Sequence, residues 1–305
     1  MNILQHLKYK QILFITLLVS SVLLLITLSN CKTTNSKNNG INATGTLNNN
    51  EIILDSTVLS ITTVAKNLAV PWDIVYAEDN CIWFTEQKGT VTRLNPLTGE
   101  KKILLTLKDL FYKRSSGLLA LAVAKDAKTN MIYTYVDYTY IVGKAIYSKV
   151  VRYTFQQDTL INPFTIIEKI TGSDGHNGCR LAIAPDGKIM LATGDANNGK
   201  NAQNLESLAG KILRINPDGS VPHDNPIKNS YIWTYGHRNS QGLCYTTNGT
   251  LYNSEHGLSS DDEINMIEKG RNYGWPLVEG IADQPNESDP FQKLTIKVPL
   301  NIGHL

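Results

Sequence analysis

Residues 72–86 read WDIVYAEDNCIWFTE: an apolar run, the pair Asp79-Asn80, and a second apolar run. The pattern returns at residues 180–193 (RLAIAPDGKIMLAT) around Asp186-Gly187, and at residues 242–255 (GLCYTTNGTLYNSE) around Asn248-Gly249. Asp-Gly and Asn-Gly supply the positive φ angles of tight hairpin turns, so each stretch predicts two antiparallel strands. Ile74, Leu181 and Leu243 each stand six residues before the second turn residue, Asn80, Gly187 or Gly249, so the hairpins repeat in register. Residues 117–126 (GLLALAVAKD), followed by a strand over 131–138, form a looser fourth copy.

Further strands extend the unit. Residues 90–95, 150–155 and 211–216 are short strand-like runs, and turns at Asn95-Pro96-Leu97-Thr98-Gly99 and Asn216-Pro217-Asp218-Gly219 close two of them. A four-stranded antiparallel sheet recurring every roughly 45 to 60 residues is the signature of a propeller blade. The fold class is all-β, a β-propeller with about four to five blades present and the last one uncertain in its outer strands. A β-sandwich would have as many turns but no reason to repeat one hairpin in register. Long helices are not evident; residues 204–208 suggest one turn. A last strand-like run is expected at 293–300.

Composition agrees. Of 305 residues 42% are hydrophobic, enough for a sizeable core, and the 14 Tyr suit strands. With 29 basic and 27 acidic residues the net charge is +2, and no basic stripe argues for nucleic acid.

The N-terminus differs. Lys8 and Lys10 precede an apolar run over residues 12–28 that ends Leu28-Ser29-Asn30-Cys31. A basic region, a hydrophobic region and a Cys read as an export signal with a lipobox, Cys31 being the lipidated residue; an uncleaved membrane anchor is the alternative. Both place the body outside the cytoplasm. The domain reading is signal or anchor over 1–31, a polar flexible tether over 32–55, and the propeller from 56 to 305. Cys81, Cys179 and Cys244 are too few and too spread for a disulfide framework or zinc site, and read as buried thiols.

Three polar loops are candidates for chemistry. Residues 175–181 (GHNGCRL) carry His176, a possible general base or a structural His. Residues 235–243 (YGHRNSQGL) gather Arg238, Asn239 and Gln241, donors for an anionic or flat polar ligand, or side chains that stiffen the loop. Residues 254–265 (SEHGLSSDDEIN) set Asp261, Asp262 and Glu263 side by side after Gly257-Leu258. Three adjacent carboxylates need solvent or a hard cation such as Ca2+, and Gly257 lets carbonyls turn inward. The spacing is not that of an EF-hand.

Together with Pro71-Trp72, Gly117-Leu118-Leu119, residues 208–219 (LAGKILRINPDG) and residues 270–276 (GRNYGWP), these loops resemble the glucose/sorbosone dehydrogenase family. The resemblance covers roughly residues 65–280. It implies a six-bladed propeller binding pyrroloquinoline quinone (PQQ) and calcium and oxidising aldose sugars to lactones. It implies that His176 takes the C1 hydroxyl proton while hydride passes to the quinone C5, and that Arg238 lies beside the quinone oxygens. It further implies that Asn239 and Gln241 line the cofactor and that the Gly257 and Leu258 carbonyls hold its calcium. Glu263 and Tyr273 match positions around a structural calcium, and Asp262 beside them falls among the implied metal-site residues.

Ser115 stands where glucose-oxidising relatives have Gln. Gly175 stands where they have an Asp read as orienting the base, so His176 is expected to be less well fixed. His256 replaces another polar residue. The chain ends about two blades before the family pattern does, and the Lys and Arg expected to grip the PQQ carboxylates have no match. Three readings follow: an exported, membrane-anchored, PQQ-dependent aldose dehydrogenase with an unidentified electron acceptor; a non-catalytic carbohydrate- or partner-binding propeller; or an inactive fragment.

Overall fold

The computed structural model describes residues 51–54, 57–126 and 129–280. The expected leader, Cys31, most of the tether and the run at 293–300 lie outside them. The chain divides into two compact units, Met1–Thr62 and Thr63–Leu305. The described part of the first is an antiparallel hairpin of β1 (Glu51–Leu54) and β2 (Thr57–Ser60), so strand pairing begins within the segment read as tether.

The second unit is a β-propeller. Blade 1 is β3 (Pro71–Tyr76), β4 (Ile82–Glu86), β5 (Thr90–Leu94) and β6 (Lys101–Thr106). Blade 2 is β7 (Leu118–Lys125), β8 (Ile132–Val142), β9 (Ala145–Gln156) and β10 (Thr159–Thr171). Blade 3 is β11 (Gly178–Ile183), β12 (Ile189–Thr193), β13 (Lys211–Ile215) and β14 (Ile232–Tyr235). A three-stranded sheet follows: β15 (Ser240–Tyr245), β16 (Leu251–Glu255) and β17 (Glu263–Ile267). Every pairing within these sheets is antiparallel and sequential, as repeated hairpins require. Asn80, Gly187 and Gly249 have φ of 59°, 79° and 85°, the left-handed conformation the turn chemistry calls for.

The core lies between blades. Trp83, Val91 and Leu104 of blade 1 pack on Leu118, Leu121, Val136 and Val151 of blade 2. Leu119, Tyr135 and Val150 on the other face of blade 2 pack on Leu181, Leu191 and Leu213 of blade 3. Met190, Ala192 and Ile212 meet Leu251 and Ile267. Blades 2 and 3 are therefore buried on both faces, and each such large side chain contributes roughly 1.5–3 kcal/mol.

The first strands are tied together by charge. The Arg180 guanidinium on β11 pairs with Asp73 on β3, and its Nε donates to Gln241 O on β15 at 2.8 Å. Leu121 N on β7 donates to Asp73 Oδ2 at 2.9 Å, so one network touches all four sheets. Burial raises the Asp73 pKa, and Arg180 offsets this only in part.

Two expectations are corrected. The helical turn is α1 (Lys200–Gln203), one turn earlier than expected, because Asn204 is already extended. Cys81 and Cys179 are buried, but Cys244 is exposed, since its β15 position points away from the packed face. No helix among the described residues is long and apolar enough to cross a membrane.

Candidate active site at the strand entries

The loop before β11 is built by close backbone approach. Gly178 has φ 62°, and a Cβ there would strike Gly194 N, while a Cβ at Gly194 would strike His176 O. His176 itself has φ 49°, a conformation that costs free energy and persists because neighbours over-determine it. Ala196 N donates to His176 O at 3.0 Å. Asn177 Nδ2 donates to the Ser115 and Ser173 carbonyls at 3.2 and 3.0 Å. Ser115 is exposed and its N–H donates to Asp174 O at 3.1 Å, so the Ser at the expected substrate position flanks the His176 loop.

His176 is not loosely held. Its Nδ1 lies 2.9 Å from Oδ1 of Asp195, whose side chain is 2% exposed. An Asp at position 175 is thus unnecessary for orientation, which corrects the expectation drawn from Gly175. Asp195, in the loop after β12, also accepts from Asn197 N at 2.9 Å, and Oδ2 accepts from Trp275 Nε1 at 2.9 Å. A buried carboxylate is an acceptor only, so the 2.9 Å contact makes Nδ1 the protonated nitrogen and leaves Nε2 with its lone pair. His176 is partly exposed. Sequence reading passed over Asp195; its only local signal is Gly194-Asp195 at the exit of a buried strand.

The second loop docks on the first. Asp195 N donates to Arg238 O at 2.7 Å, and Gly178 N donates to Asn239 Oδ1 at 3.1 Å. Gln241 Nε2 donates to the same oxygen at 3.1 Å, so Asn239 and Gln241 bind the His176 loop in this structure. Arg238 Nη1 donates to His256 O at 3.0 Å, and its guanidinium lies 5.3 Å from the Trp275 ring centre. Its buried Nε has no hydrogen-bond partner among the described residues. Beneath Arg238, His237 bridges Glu255 Oε2 at 2.7 Å and Thr234 Oγ1 at 2.9 Å and stacks on Tyr273. Burial opposes the Glu255 charge, yet His237 and the Arg238 N–H hold its pKa below the usual range.

The acidic loop closes the far side. Gly257 N donates to Asp262 Oδ1 at 2.9 Å, and Leu258 is exposed. A cavity of about 20 Å³ is lined by Arg238, Glu255, Gly257, Glu263, Tyr273 and Trp275. That is room for one water-sized occupant. Burial and the neighbouring Glu255 push the Glu263 pKa up to about 7, the mark of carboxylates short of positive charge. Among the described residues no three His, Cys, Asp or Glu side chains have metal-holding geometry, so a cation here would need main-chain oxygens. The Tyr273 hydroxyl is already engaged: it donates to Met266 O at 2.6 Å and accepts from Glu268 N at 3.0 Å. Tyr273 nonetheless lines the cavity.

The profile of the family described as glucose/sorbosone dehydrogenase matches residues 68–293. The chain is 36% identical over 253 residues to quinoprotein glucose dehydrogenase B of Acinetobacter calcoaceticus, covering 72% of this chain and 53% of that one. It is 32% identical to the Escherichia coli aldose sugar dehydrogenase YliI, covering 72% of this chain and 62% of that one. The chain therefore spans between half and two thirds of these curated relatives. Among solved structures, the PQQ-bound aldose sugar dehydrogenase of Streptomyces coelicolor superposes with TM-score 0.67 at 33% identity, over 75% of this chain and 69% of that one. A propeller with these entry loops, matched over most of its length, belongs to the glucose/sorbosone dehydrogenase family.

Proposed function

We propose that the protein is a PQQ-dependent aldose dehydrogenase, with His176 as general base. The observation that carries this is the Asp195–His176 pair, which takes up Nδ1 and leaves Nε2 as the acceptor, on a loop that Arg238 O joins through Asp195 N. PQQ, when bound, supplies the acceptor for the hydride that leaves the sugar C1. His176 Nε2 takes the C1 hydroxyl proton, and the C1–O bond becomes the lactone carbonyl. Asp195 stabilises the imidazolium that forms. Arg238 brings an unspent buried donor and a positive charge to the side where an anionic quinone would lie. The one-ion cavity is lined by Gly257, Asp261 and Glu263, and a calcium there would take the Gly257 carbonyl and these carboxylates; Leu258 and Asp262 lie outside the lining and would have to turn in to join it. A tricyclic cofactor exceeds this cavity, and Asn239 and Gln241, if they line it, would have to share their present bonds. The Tyr273 ring would wall the metal side.

Residues 1–31 support export and membrane attachment through Cys31, with the propeller facing the cell exterior or periplasm.

The test is aldose-dependent reduction of an artificial dye by the protein with PQQ and calcium, with His176→Ala as control. Reduction that needs aldose, PQQ and His176 is expected. A folded protein that binds no PQQ, or activity that survives His176→Ala, overturns the reading and favours a non-catalytic binding propeller.

A further inference from the structure

Residues 271–275, after β17, return to blade 3. Tyr273 N donates to Tyr235 O at 2.8 Å, and Asn272 bridges Tyr235 in parallel, so the segment lies along the free edge of β14. Gln203 of α1 clamps it, donating to Asn272 Oδ1 at 3.0 Å and to Trp275 O at 2.7 Å. Trp275 N donates to Gly236 O at 3.0 Å. A Cβ at Gly199 would lie 3.3 Å from Trp275 Nε1 and 3.0 Å from Pro276 Cβ, so a small residue there lets the indole approach.

The indole does two things at once. Its N–H reaches Asp195 Oδ2 at 2.9 Å, and its face lies 5.3 Å from the Arg238 guanidinium. Rotation about the terminal bond of an Asp side chain is broad, so hydrogen bonds on Oδ1 alone leave Oδ2 unpinned. A donor on Oδ2 pins that second oxygen. An indole carries one donor and no acceptor, which matches a carboxylate that is saturated on its other oxygen by His176 and Asn197.

We propose that Trp275 is a positioning residue that locks the Asp195 carboxylate onto His176, and with it the tautomer of the base, while its ring seats Arg238. The proposal rests on the reading of His176 as the base. Its test is made without cofactor or sugar, so that it stands apart from the activity measurement.

The experiment is imidazole nitrogen–proton correlation NMR on ¹⁵N-histidine-labelled protein, with His176 assigned by His176→Gln. Wild type should show one tautomer at His176, protonated at Nδ1. Trp275→Phe keeps a ring over Arg238 but has no N–H. It should mix the tautomers and speed Nδ1–H exchange by about tenfold or more, as loss of a charge-assisted bond allows. Unchanged His237 signals certify the fold, because His237 is fully buried on its own carboxylate. A folded Trp275→Phe with the wild-type His176 signal overturns the proposal. Should Trp275→Phe not fold, the Trp275 indole proton of wild type is compared with that of Asp195→Asn. A shifted, faster-exchanging proton in the variant supports the lock, and an unchanged one overturns it. Where dye reduction is present, Trp275→Phe should lower kcat far more than it raises KM.

Discussion

His176 and Asp195 are nineteen residues apart in the chain and 2.9 Å apart in space, joined across the β11–β12 hairpin. Asp195→Asn keeps the shape but offers an amide that suits the wrong tautomer. It should cut dye reduction roughly 10²–10⁴-fold with little change in KM, the range for loss of properly oriented acid–base catalysis. Steady-state kinetics across aldose concentration checks this, and wild-type kcat in the variant would refute it.

Asp73 and Arg180 join the first strands of blades 1 and 3. Arg180→Met leaves the 7% exposed Asp73 side chain without its cation and should cost about 3–5 kcal/mol. Adding Asp73→Leu should restore much of that loss, because an apolar pair avoids desolvating two charges. Urea midpoints of both singles and the double decide it; additive losses would show that the pair is not coupled.

Asp137, on β8, is fully buried, and burial raises its pKa to about 7 despite the nearby Cys179 thiol and Ser148 hydroxyl. Its oxygens make no hydrogen bond of good geometry among the described residues. The folded state therefore holds this proton more tightly than the unfolded chain, whose Asp titrates near 3.8. The stabilisation is complete below the unfolded pKa and is lost as pH rises toward 7. Asp137→Asn should flatten the fall in stability between pH 4 and pH 8. Parallel denaturation curves for wild type and variant across that range would contradict it.

A Cβ on Gly257 would collide with Ser260 O. Gly257→Ala should force the acidic loop open and reduce the rise in melting temperature that calcium gives the wild type. Thermal unfolding with calcium and with chelator measures it, and an undiminished calcium shift would remove Gly257 from the proposed site.

What was legible in the sequence was local. The turns at Asn80, Gly187 and Gly249 announce themselves because two adjacent residues decide their backbone, and the repeat follows from them. His176, Arg238 and the acidic loop were visible because unusual side chains crowd into short loops. Asp195 and Trp275 were not, because their roles depend on which strand entry faces which, and one Asp or Trp has no local mark of that. The α1 turn was misplaced because Asn204 and Ser207 look like helix-starting residues, whereas Lys200–Gln203 is held by Gln203 gripping residues 272–275. Cys244 looked internal because its neighbours are apolar; Leu243 and Tyr245 take the face of β15 that packs on blade 3, and alternation along the strand puts Cys244 on the other.

The return of residues 271–275 to the edge of β14 gives the site an order of birth. During synthesis from the N-terminus, His176 and Asp195 emerge together, but the indole that pins them is made some eighty residues after Asp195. A chain that stopped short of that segment would leave the Asp195 carboxylate without its Oδ2 partner.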